Sequence, residues 1–340
     1  MRLAESFARQ SRACAELGSP FMGRLMALLG AHWPDTAFGR AIADWPGDLG
    51  PSAVSMPLRV AGGLHALVLG GDAALAAVYP PNDVGDEALL VAVLDAMERH
   101  SDTLLRWVES APQTNEVRRS AVIVPAAHWL AARYPLPFMT SELGASAGLN
   151  LNWDRFAVQA GASRLGPSDP ALTLTPDWSG PAPAPASVTV ADRAGVDLNP
   201  LDLADPAQAR RLFAYLWPDQ PHRMALTRAA MSVQETPVFR GDAIDWLGPR
   251  LAAQPEGVLH LIYHTIAWQY FPAEKQAEGR ALIEAAGASA TANRPLAWLG
   301  MEADKSPDGA AVTLRLWPGD QRIELGRADF HGRWVRWNEA

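Results

Sequence analysis

The chain has 340 residues, 49% apolar and 19% charged, which is too apolar for a disordered protein and long enough for two domains. Lys and Arg total 29 against 37 Asp and Glu, a net charge of -8, so the general attraction to phosphate that a nucleic-acid binder uses is missing. Cys14 is the single cysteine, which rules out an intrachain disulfide or a cysteine zinc site and fits a cytoplasmic protein.

Residues 1–130 read as a mostly helical domain. Arg2, Glu5, Arg9, Arg12, Glu16 and Arg24 interrupt its start, so no signal peptide is expected. The longest apolar stretches, such as 257–266, fall far short of the roughly 20 residues of a membrane helix. Leu3, Phe7, Leu17, Phe21, Leu25 and Leu28 keep near-helical spacing through residues 1–29, with a break at Gly18-Ser19-Pro20. Residues 54–69 fit either a helix hairpin or a short strand. Residues 89–108 carry a clear stripe (Leu90, Val93, Leu94, Met97, Leu104, Leu105, Val108), with Asp83 and Asp86 suited to its start.

From residue 131 the pattern changes to short apolar runs separated by helical windows. Strands are expected at 138–143, 188–191, 237–240, 258–264, 296–302, 312–317 and 334–337, and helices at 206–215, 223–231, 242–253 and 273–286. This alternation predicts an α/β domain, a Rossmann-like and mostly parallel sheet covered on both faces. Only Pro318-Gly319-Asp320 and a polar stretch separate 312–317 from 334–337, so these two are expected to pair antiparallel as a C-terminal hairpin. Six prolines mark 155–186 as an inserted loop, or a small hairpin over the site, with 179–186 extended on the surface.

Chemistry concentrates after the first of these strands. Glu142-Leu143-Gly144-Ala145-Ser146-Ala147-Gly148 is an acid at a strand end followed by small residues that permit a tight turn. Backbone N–H groups can approach a ligand there, at the edge where open α/β sheets bind nucleotides. The same residues spell G-x-S-x-G, the nucleophile elbow of α/β hydrolases, with Ser146 as nucleophile and Asp242, Asp304, His264 and His331 available later in the chain. Against this, Leu149-Asn150-Leu151-Asn152-Trp153-Asp154 is a poor start for the elbow's helix, and Glu142 has no task in it. His260 and His264 do not suggest a metal pair, because positions four apart in a strand are separated by about 13 Å.

Glu142-x-Gly144-x-Ser146-x-Gly148 resembles the first motif of class I S-adenosylmethionine-dependent methyltransferases, with Ser146 in place of the middle glycine. Together with the segments 112–120, 142–150, 197–202 and 217–220, it also resembles the bacterial domain-of-unknown-function family 2332, over nearly the whole chain. That family is similar to methyltransferases in its predicted fold. The resemblance implies that Glu142, Gly144, Ser146, Gly148 and Asn150 surround the methionine and ribose of S-adenosylmethionine. It gives the ribose hydroxyls to Asp197, with Asp192 as the alternative, and the adenine amino group to Asp242, which also suits a helix N-cap. It sets the end of the fourth strand beside the reacting methyl group, making Tyr263 and His264 the catalytic candidates and Trp268 and Tyr270 ligand contacts. Asn115 reads as the N-cap of a helix over 116–133; the resemblance folds this segment over the cofactor, with Asn115 as a ligand contact and Arg118 and Arg119 as partners for a carboxylate or phosphate on cofactor or substrate. The function so implied is methyl transfer to a small or medium-sized acceptor, without metal, nucleic acid or membrane. The alternatives are a serine hydrolase at Ser146 and a non-catalytic cofactor-binding protein.

Overall fold

Helices fill the early chain for local reasons. The structure, a computed structural model, describes residues 2–50 and 53–338; Met1, Pro51, Ser52, Glu339 and Ala340 lie outside that description. Helices Leu3–Glu16 and Pro20–Ala31 are separated at the expected break, where Gly18 turns with φ +83° and the Ser19 hydroxyl accepts from the Met22 amide. Residues 56–69, open in the sequence, are the helix Met56–Leu69. The stripe over 89–108 divides into Asp86–Arg99 and Ser101–Val108 at His100, whose ring nitrogen lies 2.8 Å from Asp72 Oδ2. Phe7, Leu25, Met26, Phe38, Val60 and Leu64 are part of the core these helices share.

The chain forms two compact units. The first runs to Thr114 and takes in Leu203–Ala225, and the second contains Asn115–Asp202 and continues from Leu226. The boundary precedes the expected residue 130 because the helix Ser120–Arg133 belongs to the second unit. Every residue of that helix from Ser120 to Ala131 is buried, so it needs cover all round. In the first unit, Asp219 accepts from the Ser19 hydroxyl and the Phe21 amide, and the Gln220 side chain donates to the Gly18 carbonyl. No helix among the described residues is long and apolar enough to cross a membrane.

The second unit is built on a sheet whose described strands run in the order Asp177–Ser179, Trp334–Trp337, Gln321–Ala328, Ala310–Trp317, Leu296–Ala303, Leu259–Thr265, Phe138–Leu143, Val190–Asp197 and Val238–Arg240. The five from Leu296–Ala303 to Val238–Arg240 are parallel, and their sequence order reverses between Phe138–Leu143 and Leu259–Thr265. That is the switch point of a doubly wound sheet. Register puts Glu142 beside Tyr263 on one face, towards the turn Leu149–Arg155. Leu143, Val196 and Ile262 face the other way, onto helices Ala243–Ala252 and Ala273–Ala288.

Two expectations are corrected. The strands Ala310–Trp317 and Trp334–Trp337 do not pair with each other, because Gln321–Ala328 lies between them and pairs antiparallel with both. Its polar outer half hides it from a search for apolar runs. The insertion is not a plain loop: Phe156–Ala160 and Ser163–Leu165 form a hairpin, Leu172–Leu174 extends it to a small sheet with Phe156, Val158, Leu165 and Leu174 buried, and Asp177–Ser179 joins the large sheet. Residues 181–189 have no regular structure, in keeping with their prolines.

Candidate functional site

The first parallel strand ends in a turn stitched to its neighbour. Gly144, Ser146 and Gly148 have φ of +77°, +53° and +73°. Left-handed backbone is free for glycine and costs about 1–3 kcal/mol at Ser146. The amides of Gly144 and Ala145 donate to the Val196 carbonyl at 2.9 and 3.0 Å, and the Ser146 amide donates to Asp197 Oδ2 at 2.9 Å. A Cβ on Gly144 would lie 2.6 Å from Ala267 Cβ, and one on Gly148 2.4 Å from Gln234 Nε2. The turn continues into the 3-10 segment Leu149–Arg155 and not into an α-helix.

Asn115 and Asn150 lock this turn from outside. The side-chain oxygen of Asn115 accepts from the Leu149 amide at 2.8 Å. The expected N-cap role is therefore corrected: a 3-10 turn, Val117–Arg119, precedes the helix, and Glu116 accepts from the Arg118 amide. The Arg118 guanidinium pairs with Glu116 at 3.1 Å. Arg119 donates to the carbonyls of Phe330 and Thr265 at 3.0 and 3.1 Å. Asn150 donates to the Glu116 carbonyl and accepts from the Ser120 hydroxyl.

Three acids sit at the ends of adjacent strands. Glu142 is 2% exposed, with the Tyr263 hydroxyl 3.5 Å from its Oε2 and 3.1 Å from the Asn150 carbonyl. Burial pushes the Glu142 carboxyl well above the usual glutamate value; Tyr263 opposes the shift, Asp197 adds to it and Arg119 opposes it. Burial also raises the Tyr263 phenol, with Glu142 adding to the effect. Asp197 Oδ1 accepts from the Asn199 amide at 2.8 Å. Asp192 lies level with Met139 and pairs with Arg250, so of the two alternatives only Asp197 reaches the carboxyl end. Asp242 caps the helix Ala243–Ala252, accepting from Ile244 and Asp245 at 2.8 and 3.1 Å.

On the opposite face, His264 is held by both nitrogens. Its Nδ1 lies 2.7 Å from Glu302 Oε1, and its Nε2 accepts from the Trp298 indole at 2.9 Å. An indole N–H can only donate, so Nε2 supplies the lone pair and Nδ1 carries the proton. This pairing leaves no lone pair for the general-base role expected of His264. Glu302 Oε1 also accepts from the amides of Ala267 and Trp268, both at 3.0 Å. Burial alone would raise the Glu302 carboxyl, but the bonds from His264 and the two amides hold it below the usual value. The residue before this cluster, Ile266, has φ +53°, an outlier for a β-branched side chain. Trp268 stacks on His264 with centroids 5.0 Å apart and is buried, whereas Tyr270 is 72% exposed. Glu302 and Trp298 carry no local signal in the sequence; only strand register brings them to His264.

The hydroxyl of Ser146 is buried with no hydrogen-bond partner among the described residues. No histidine therefore reaches it as the hydrolase elbow requires, and Asp304 pairs with Arg327. Leu198 and Phe239, at the ends of the second and third parallel strands, are 65% and 55% exposed. Two cavities of about 200 and about 400 Å3 adjoin the inserted small sheet and share no residue with the 144–148 turn. Among the described residues, no group of three or more His, Cys, Asp or Glu is arranged to hold a metal ion.

No curated protein matches the chain. A family model described as an uncharacterized protein conserved in bacteria (DUF2332) matches residues 4–337, and the chain belongs to that family.

Proposed function

We propose that the carboxyl ends of the parallel strands bind S-adenosylmethionine, and that the protein transfers its methyl group to a small or medium-sized acceptor. The observation that carries this reading is the pairing of an acid with an exposed apolar side chain at two adjacent strand ends: Asp197 with Leu198, and Asp242 with Phe239. Carboxylates accept from ribose hydroxyls or an adenine amino group, and apolar neighbours exclude water from a base. The sulfonium, when bound, supplies an electrophilic methyl group.

The remaining donor set also favours a nucleoside without phosphate. Phosphate sites use the positive end of a helix behind the glycine turn, and here a 3-10 segment takes that place. Asp197 and Asp242 would further repel a pyrophosphate. Glu142 is too buried to grip a ligand; it backs the turn. Glu302 and His264 fix the 266–270 segment and with it the exposed Tyr270 beside the strand ends. Holding an acceptor in line is the main task of the protein in such a reaction, so the occupied nitrogens of His264 do not count against it.

Calorimetry with S-adenosylmethionine and S-adenosylhomocysteine tests the reading. Micromolar binding by wild type, weakened about tenfold in Leu198→Ser, a loss of about 1.4 kcal/mol, is the expected result. No binding by folded protein refutes it. Fluorophosphonate labelling that disappears in Ser146→Ala would favour the hydrolase, and binding without turnover on any acceptor would favour a non-catalytic protein.

A further inference from the structure

Glu142 is a buried carboxyl without a compensating cation. It makes no ion pair among the described residues, and its side chain lies among Tyr263 from the fourth parallel strand, Asp197 from the second and Arg119 from the 117–119 turn. The guanidinium of Arg119 is engaged with the Phe330 and Thr265 carbonyls. Beyond Tyr263 lie Asp154 and Arg193, which neutralise each other in a two-bond pair at 2.8 and 2.9 Å. An ionised carboxylate in such a place is costly, and the group keeps its proton instead. The phenol geometry agrees. Tyr263 has one proton, and the Asn150 carbonyl at 3.1 Å is its nearer acceptor. The contact with Glu142 Oε2 is the longer, at 3.5 Å, so the phenol gives a carboxylate only a weak bond to hold its charge.

We propose that Glu142 is protonated in the ligand-free protein and releases its proton when an organic cation binds at the adjoining strand ends, so that the site distinguishes a cationic ligand from its neutral counterpart. The inference rests on the binding site proposed above and adds the sensing of charge. The balance is simple: the carboxyl O–H bond breaks, the proton passes to solvent, and the carboxylate left behind attracts the bound cation from behind the 144–148 turn. Burial and the Asp197 charge favour the protonated state, while Tyr263 and Arg119 oppose it. A ligand cation tips this balance, and a neutral ligand leaves it unchanged.

S-adenosylmethionine and S-adenosylhomocysteine share the nucleoside and the amino acid and differ in the sulfonium charge. Calorimetry of both near pH 7, each in two buffers of different ionisation enthalpy, reads the protons released. The expected result is close to one more proton released for the sulfonium ligand, a difference that disappears in Glu142→Gln. Its affinity should rise by up to tenfold per pH unit while Glu142 remains protonated, and that of the thioether should not follow. Infrared spectroscopy of the ligand-free protein should show a carboxylic acid carbonyl band that Glu142→Gln removes. Absence of that band overturns the proposal whatever binds. Binding of both ligands with equal proton release overturns it and leaves the binding site standing. Failure of both ligands to bind removes the site and the proposal together.

Discussion

Replacing Glu302 with alanine strands the three donors that meet its Oε1, His264 Nδ1–H at 2.7 Å and the Ala267 and Trp268 amides at 3.0 Å, and frees the Gln269 amide, 3.4 Å from Oε2. Hydrogen bonds to a charged acceptor contribute about 1.5–3 kcal/mol each, so the full loss would be about 4–9 kcal/mol. Two effects reduce it. Glu302 is partly exposed, so water reaches some of the freed groups, and relaxation of the loop releases the strain at Ile266, about 1–3 kcal/mol. A net destabilisation of about 2–4 kcal/mol in urea unfolding is the expected outcome. Its pH dependence has a definite sign. The Glu302 carboxyl is held below its usual value of 4.5, so its contribution is full above that pH and is lost as pH falls through the lowered value. The gap between wild type and Glu302→Ala should therefore narrow in acid. Nitrogen NMR of His264 in wild type should find the proton on Nδ1. A destabilisation below about 0.5 kcal/mol, or a proton on Nε2, would refute the clamp.

Other substitutions probe the same strand ends. Gly144→Ala puts a methyl 2.6 Å from Ala267 Cβ on left-handed backbone, and thermal unfolding should report a loss of about 2–4 kcal/mol. Asn115→Ala leaves the Leu149 amide unpaired, a loss of about 1–3 kcal/mol in urea, whereas Asn115→Asp, which keeps the acceptor, should recover most of it. For Glu142 the pH sign is the reverse of that for Glu302. Its folded value is raised, so stability is full below the usual 4.5 and is lost as pH rises towards the raised value. Glu142→Gln should gain on wild type by about 1.4 kcal/mol per pH unit above 4.5 until that value is passed, and a constant gap across paired urea curves would contradict the buried acid.

What the sequence revealed and hid follows from how local each signal is. Phe138–Leu143 is a short segment bounded by Pro137 and Gly144, buried along its whole length, and it is legible residue for residue. Val190–Asp197 extends well beyond the expected 188–191 because Asp192 and Arg193 interrupt the run, yet both lie in the parallel ladder. The insertion's prolines drew attention away from Phe156-Ala157-Val158-Gln159-Ala160, whose side chains are mostly buried. The Gly144–Gly148 turn and Asp242 were visible because a turn and a cap use neighbouring residues. The bonding of His264 was not, since Glu302 and Trp298 lie 38 and 34 residues further on. Adjacent-strand register is a property of the folded sheet that no short window of sequence contains.

The return of Leu203–Ala225 to the helical unit bears on how this protein is made. Leu212, Tyr215, Leu216 and Trp217 are buried there, and Asp219 holds the start of the Pro20–Ala31 helix. A ribosome delivers the first 114 residues long before this segment, so the helical unit must wait, incomplete, while the first two parallel strands are synthesised. A fragment ended at Thr114 lacks part of its own core, and one begun at Asn115 carries four stranded apolar side chains. Expression of either half alone should give aggregation, and recombinant work on the sheet needs the whole chain.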